Sequence, residues 1–187
     1  MESVKKSTAL LEALNKKHIV MAGMLATAGA DVDIAPNTSN IPVFLALKSN
    51  WFDIFKLMVS VGNANLTVVN ENGHGLLTEA ARLNDIDMVE SLMSYSSRLG
   101  TRSPEKSTPL HQAILHNNLT MFSMLLESSH TSPNAPCEGN QTPLDLACER
   151  GATSFVAALL DDGRMNRQLP TKDKGCLVLR ALKMRLY

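Results

Sequence analysis

Thr108-Pro109-Leu110-His111-Gln112-Ala113 returns thirty-four residues later as Thr142-Pro143-Leu144-Asp145-Leu146-Ala147. The same frame extends both ways. Gly75-Leu76-Leu77-Thr78 lies thirty-three residues before Thr108, and Ile41-Pro42-Val43-Phe44 thirty-four before that. Thr8-Ala9-Leu10-Leu11 lies a further thirty-three back, and Cys176-Leu177-Val178-Leu179 follows Thr142 by thirty-four. Columns not used to find this frame test it. Five residues after each start stand Ala13, Ala46, Ala80, Ala113, Ala147 and Ala181. Two after each start come Leu10, Val43, Leu77, Leu110, Leu144 and Val178. A period of this length marks a stack of supersecondary units.

The columns also give each repeat its local structure. Threonine opens a helix as its N-cap, and proline follows at the first helical position, where a missing N–H costs nothing. Asn50, Asn84, Asn117 and Gly151 sit where that helix ends, and these residue types accept a left-handed backbone. Apolar residues then recur 11, 13, 14, 17 and 18 positions after the start, one stripe of a second helix. The eleventh column reads Ile19, Phe52, Ile86, Leu119 and Thr153; the thirteenth reads Met21, Ile54, Met88, Met121 and Phe155. Both are expected in the core. Seven methionines in second helices, Met21 and Met24 among them, are expected as core filler rather than as an adaptable binding surface.

T-P-L-H-x-A, a second amphipathic helix and Gly29-Ala30-Asp31-Val32-Asp33 together resemble the ankyrin repeat. The resemblance covers residues 8–160 as five repeats starting near 8, 41, 75, 108 and 142. A truncated capping repeat follows near 176. It implies one domain over 1–187: a mainly α solenoid of helix–turn–helix units with short β-hairpin loops and a concave face. Stacking buries the apolar stripes, and residues 1–7 and 161–187 are candidate caps. The second repeat departs from the pattern with Gly62-Asn63-Ala64-Asn65, and the third lacks the threonine–proline start and the glycine motif. The resemblance gives His111 a structural part, tying adjacent loops by hydrogen bonds.

Composition restricts the function. Of 187 residues, 44% are hydrophobic and 19% charged, a globular balance. Eighteen basic and 18 acidic residues leave no net charge, so nothing draws the chain as a whole to nucleic acid or anionic lipid. The basic tail from Asp161 reads most simply as a solvated cap face. No apolar run is long enough for a signal peptide or a membrane span, so cytosol or nucleus is expected. Cys137, Cys148 and Cys176 lack metal-site spacing and are expected as reduced thiols. Four glycosylation sequons, at Asn37, Asn65, Asn118 and Asn140, would matter only in a secreted chain. There is no phosphate-binding loop, zinc-protease motif or nucleophile elbow, so no enzyme activity and no cofactor are expected.

Residues that the repeat does not need are free for recognition. By the resemblance these lie at loop tips and late in the first helix. The tips offer Asn37, Asn40, Glu71, Asn72, His74, Glu105, Glu138 and Gln141. The first-helix ends offer Lys48, Arg82, Leu83, Leu115, His116, Glu149 and Arg150. Leu83 and Leu115 are apolar where any polar residue would serve, and they are expected to centre an apolar spot with a charged rim of Arg82, His74, His116, Glu71 and Glu105. Packing of both leucines against neighbouring loops is the competing reading. Trp51, just past a turn, is a lesser candidate. The expected partner is a protein or peptide of mixed charge, bound by a monomer acting as adaptor, scaffold or inhibitor. The alternative is an ankyrin portion of a larger enzyme or channel, serving targeting or regulation.

Overall fold

A computed structural model describes residues 8–99 and 107–165. The expected cap residues 1–7, Glu105 and the half-repeat near Cys176 lie outside them. Among the described residues ten helices form five pairs. The first helices are α1 (Ala9–Asn15), α3 (Pro42–Lys48), α5 (Leu76–Arg82), α7 (Pro109–Leu115) and α9 (Pro143–Glu149). The second helices are α2 (Ile19–Thr27), α4 (Phe52–Ser60), α6 (Ile86–Ser94), α8 (Leu119–Glu127) and α10 (Thr153–Asp161). Short 3₁₀ turns occupy Thr38–Asn40 and Ser96–Arg98. The chain falls into two compact bodies. Of the described residues, one body comprises 8–76 and 95–99 and the other comprises 77–94 and 107–165.

Every first helix stops in the same way. The residue two past its end takes a left-handed backbone: Lys17 (φ 59°), Asn50 (56°), Asn84 (56°), Asn117 (52°) and Gly151 (63°). The next N–H turns back onto the carbonyl of the alanine column. These bonds are His18 to Ala13 (2.8 Å), Trp51 to Ala46 (2.9 Å), Asp85 to Ala80 (3.1 Å), Asn118 to Ala113 (2.9 Å) and Ala152 to Ala147 (2.9 Å). This is the Schellman closure, which satisfies carbonyls the helix leaves open. The alanine column therefore serves twice. Its methyl groups are buried and its carbonyls end the helix. Lys17 is the one β-carbon-bearing residue other than asparagine at this position, and its left-handed backbone is held against its preference.

Helix starts are less uniform. Thr8 Oγ1 accepts from Leu11 N–H (3.2 Å). Thr142 and Asp145 form a reciprocal capping box, with Asp145 N–H to Thr142 Oγ1 at 3.2 Å and Thr142 N–H to the Asp145 carboxylate at 2.9 Å. Thr108 departs from the expected cap. Its hydroxyl pairs instead with the His111 ring.

The core runs through the thirteenth, fourteenth and seventeenth columns of the later repeats. Met88, Met121, Phe55, Phe122, Met58, Leu92, Leu125 and Leu159 are all fully buried. Phe122 on α8 and Phe155 on α10 meet edge to face, with ring centroids 5.0 Å apart. Two expectations fail here. The eleventh column is not core: Ile19 and Leu119 are exposed and Phe52 is half-buried, its ring carrying the Lys56 ammonium at 4.3 Å. That position is the first residue of each second helix and lies at the edge of its stripe. Met21 and Met24 are exposed too, because α4 covers only the opposite side of α2, where Ala22, Gly23 and Ala26 are buried.

The hairpin loops are also slighter than expected. Among the described residues, β pairing is confined to one antiparallel bridge, Val69 to Gly75. Asn70 organises that loop through its side chain, whose Oδ1 accepts from Asn72 N–H (2.9 Å) and His74 N–H (3.0 Å). Gly73 (φ 76°) completes the turn.

Two arginines hold helix ends that lie far off in sequence. Arg98 donates from Nη1 to the Val59 carbonyl (3.0 Å), and from Nη2 to Asn63 Oδ1 and the Ala64 carbonyl (both 2.9 Å). Arg164 donates to the carbonyls of Ser128 (2.8 Å), Thr131 (3.2 Å) and Leu126, and is steadied by the Asp162 carboxylate at 2.7 Å. Each guanidinium thus supplies donors to the carboxyl end of a second helix, α4 or α8, in the preceding repeat.

Candidate functional site

In the N-terminal body the candidate residues are spread over loops and one helix end. Asn37 Oδ1 accepts from Asn40 N–H (3.1 Å), so it caps the 3₁₀ turn and remains exposed. Lys48 and Glu71 approach to 4.0 Å across exposed surface. A pair of that kind adds little to stability. Asn72 is exposed at the turn that Asn70 builds. His74 does not behave as a tip residue. It is buried, and its backbone is bound at both ends to Asn70. The sequence signal for this was Asn70 itself, four residues earlier. Trp51 is half-buried.

In the C-terminal body the first-helix ends are linked from one repeat to the next. His116 Nε2–H donates to the Arg82 carbonyl (2.8 Å), and Asn118 Nδ2 donates to Asn84 Oδ1 (2.8 Å). Leu83 and Leu115, expected to be apolar and accessible, are 38% and 40% exposed. Arg82 is exposed, but its guanidinium is committed. Nε and Nη2 donate to the two oxygens of buried Glu79 at 2.9 and 2.8 Å. This hydrogen-bonded pairing holds the Arg82 pKa above its usual value. Farther along, Gln141 Nε2 donates to Glu149 Oε2 (2.6 Å), while Glu138 and Arg150 are exposed. The rim therefore has its charges largely matched inside the chain. Leu83 and Leu115 thus lie among polar side chains, Arg82 and His116, that are already engaged within the chain. Glu71 and His74, expected in the same rim, belong to the N-terminal body.

His111 occupies the loop-tying place that the repeat pattern implied. Thr108 Oγ1 lies 2.8 Å from Nδ1, and Nε2 lies 3.0 Å from the Gln141 carbonyl. A carbonyl can only accept, so Nε2 carries the proton and Nδ1 takes the threonine hydroxyl. Burial of the ring is the main cause of its lowered pKa, opposed by the backbone bonds. The neutral ring is what the fold holds. The sign follows from proton uptake. Below about pH 6.5, the ordinary value, the unfolded chain binds a proton that the native ring resists. Stability is therefore full above that pH and falls progressively as pH drops toward the lower native value. Urea titrations at a series of pH values should show this slope, and His111→Gln should flatten it relative to the parent chain.

Among the described residues no group of three or more His, Cys, Asp or Glu side chains could hold a metal ion. Nor is any described helix long and apolar enough to cross a membrane. The cysteines differ from expectation. Cys137 is a thiol, but Cys148 is disulfide-bonded rather than the expected reduced thiol.

Residues 77–168 match the family described as ankyrin repeats (3 copies). This chain belongs to the ankyrin-repeat family. The fold agrees. The crystal structure of the ankyrin repeat domain of Bcl-3, described as a unique member of the IkappaB protein family, superposes with a TM-score of 0.76 at 21% identity. That match covers 97% of this chain and 83% of the other. Among curated ankyrin relatives, the mouse B-cell lymphoma 3 protein homolog is 34% identical over 55% of this chain and 24% of its own length. Variola virus ankyrin repeat protein OPG189 is 30% identical over 56% of this chain and 19% of its own. The chain thus spans about a fifth to a quarter of these relatives. Ankyrin repeats are in general modules that bind other proteins, and the fold is in general non-catalytic.

Proposed function

We propose that this ankyrin chain is an adaptor, scaffold or inhibitor that takes its partner at the first-helix ends of the C-terminal body. Leu83 and Leu115 are its apolar anchors. The observation that carries this reading is their exposure beside a polar frame already locked by Glu79–Arg82 and by His116 on the Arg82 carbonyl. Apolar centres enclosed by satisfied polar groups are where binding energy concentrates. Because Arg82 is engaged by Glu79, net charge at this surface is small. A partner segment with an apolar side chain and few charges fits better than one of strong single sign, which also disfavours nucleic acid.

The test begins with capture of partners from cell lysate by the parent chain, followed by titration of the purified partner. Leu83→Ser/Leu115→Ser should fold normally by circular dichroism and bind at least about tenfold more weakly, as loss of apolar anchors does. Equal affinity would remove these leucines from the interface.

A further inference from the structure

The α2 helix has a surface that stacking within the chain leaves unused. Val20 is 79% exposed, Met24 67% and Met21 54%, and with Ile19 they line an open groove of about 860 Å³. This is more than the open flank of a repeat. Twelve residues after each start, the outward position of the second helix carries Asp53, Asp87, Thr120 and Ser154 in the later repeats, but Val20 in the first. All five are exposed. A helix apolar all round is one built to be covered.

Charge along the helix indicates what covers it. Lys17 and His18 stand at its start, and Asp31 and Asp33 just past its end, with no charged residue in between. Both aspartates are exposed, and both are held in place. Asp31 Oδ1 accepts from Asp33 N–H (3.0 Å), and Asp33 Oδ1 accepts from Asn65 N–H (2.9 Å). We propose that this strip pairs with the same strip of a second copy of the chain, the two α2 helices running antiparallel about a two-fold axis. That orientation brings Lys17 of each copy to Asp31 of the other and places the cation at the negative end of the facing helix. A parallel arrangement would oppose like charges. An isologous contact also closes on itself and uses up the apolar face in one step. An anionic lipid surface would attract Lys17 but repel the two aspartates.

Sedimentation equilibrium of the purified chain over a wide concentration range reads the result. The mass should rise from one chain to two and stop there. Val20→Glu/Met24→Glu alters exposed positions, so the fold should survive by circular dichroism. Its self-affinity should fall about a hundredfold or more, each apolar side chain denied burial counting for about tenfold. Lys17→Asp should weaken pairing, and adding Asp31→Lys should restore it. A single-chain mass at every concentration overturns the proposal, whether the strip is covered by the chain itself or by nothing. So does a dimer that Val20→Glu/Met24→Glu leaves intact, or a charge swap that fails to restore pairing. Binding of the monomeric chain to phosphatidylserine vesicles, lost in Val20→Glu/Met24→Glu, would assign the strip to lipid instead.

Discussion

Phe122→Ala is expected to cost about 3–5 kcal/mol, a large share of what holds a domain of this size together. The ring is fully buried on α8 and sits edge to face on Phe155 of α10. Truncation removes the transfer energy of the ring, leaves a cavity and forfeits the aromatic pair, itself worth about 0.5–1.5 kcal/mol. Phe122→Leu keeps most of the volume and should cost much less. Urea unfolding of the three proteins measures the order. Because a repeat is stabilised mainly by its neighbours, the loss should also be local. Hydrogen exchange in Phe122→Ala should quicken first in α9 and α10, which pack on α7 and α8.

Arg98→Ala is expected to cost about 2–3 kcal/mol, although the residue touches neither a ligand nor the deep core. Its guanidinium reaches the Val59 and Ala64 carbonyls and the Asn63 side chain together. Hydrogen bonds from a charged donor are worth more than neutral ones, and the exposed part of the site limits the total. Arg98→Lys should recover less than half, since an ammonium lacks the planar fork that spans three acceptors. Chemical denaturation of both variants decides this. Equal stability of the Arg98→Lys variant and the parent chain would mean that charge, not geometry, is what matters there.

The repeat frame was plainly legible because its physics is local. The alanine column, the asparagine turns and the buried thirteenth and seventeenth positions each depend on a few residues within one period. The alanine carbonyls that close every first helix follow from the same spacing. Burial at stripe edges was not legible. Ile19 and Leu119 read as core because periodicity counts faces, whereas exposure depends on what stands opposite. Met21 and Met24 failed for that reason too. In the candidate surface, the exposure of Leu83 and Leu115 was legible from their place in the repeat. The three-residue spacing of Glu79 and Arg82 on a helix allows their bidentate engagement but does not select it over other partners. His74 misled because its burial is decided by Asn70. Arg98 and Arg164 escaped a frame that compares adjacent repeats, because they stand in alternate repeats and in neighbouring columns, 23 and 22 residues after their starts.

The Arg98 contact has a bearing on how the chain is made. Its guanidinium acts on a carbonyl thirty-nine residues earlier, and the N-terminal body regains residues 95–99 only after the chain has left it for α5 and α6. During synthesis α4 therefore emerges and packs with its carboxyl end open to water, and the last donors arrive after two further helices have been translated. A contact spanning thirty-nine residues carries a loop-closure cost, and it is expected to close after the folding transition state. Its loss should show as faster unfolding at nearly unchanged folding rate, making Arg98 a latch on the lifetime of the N-terminal repeats rather than a guide to their assembly.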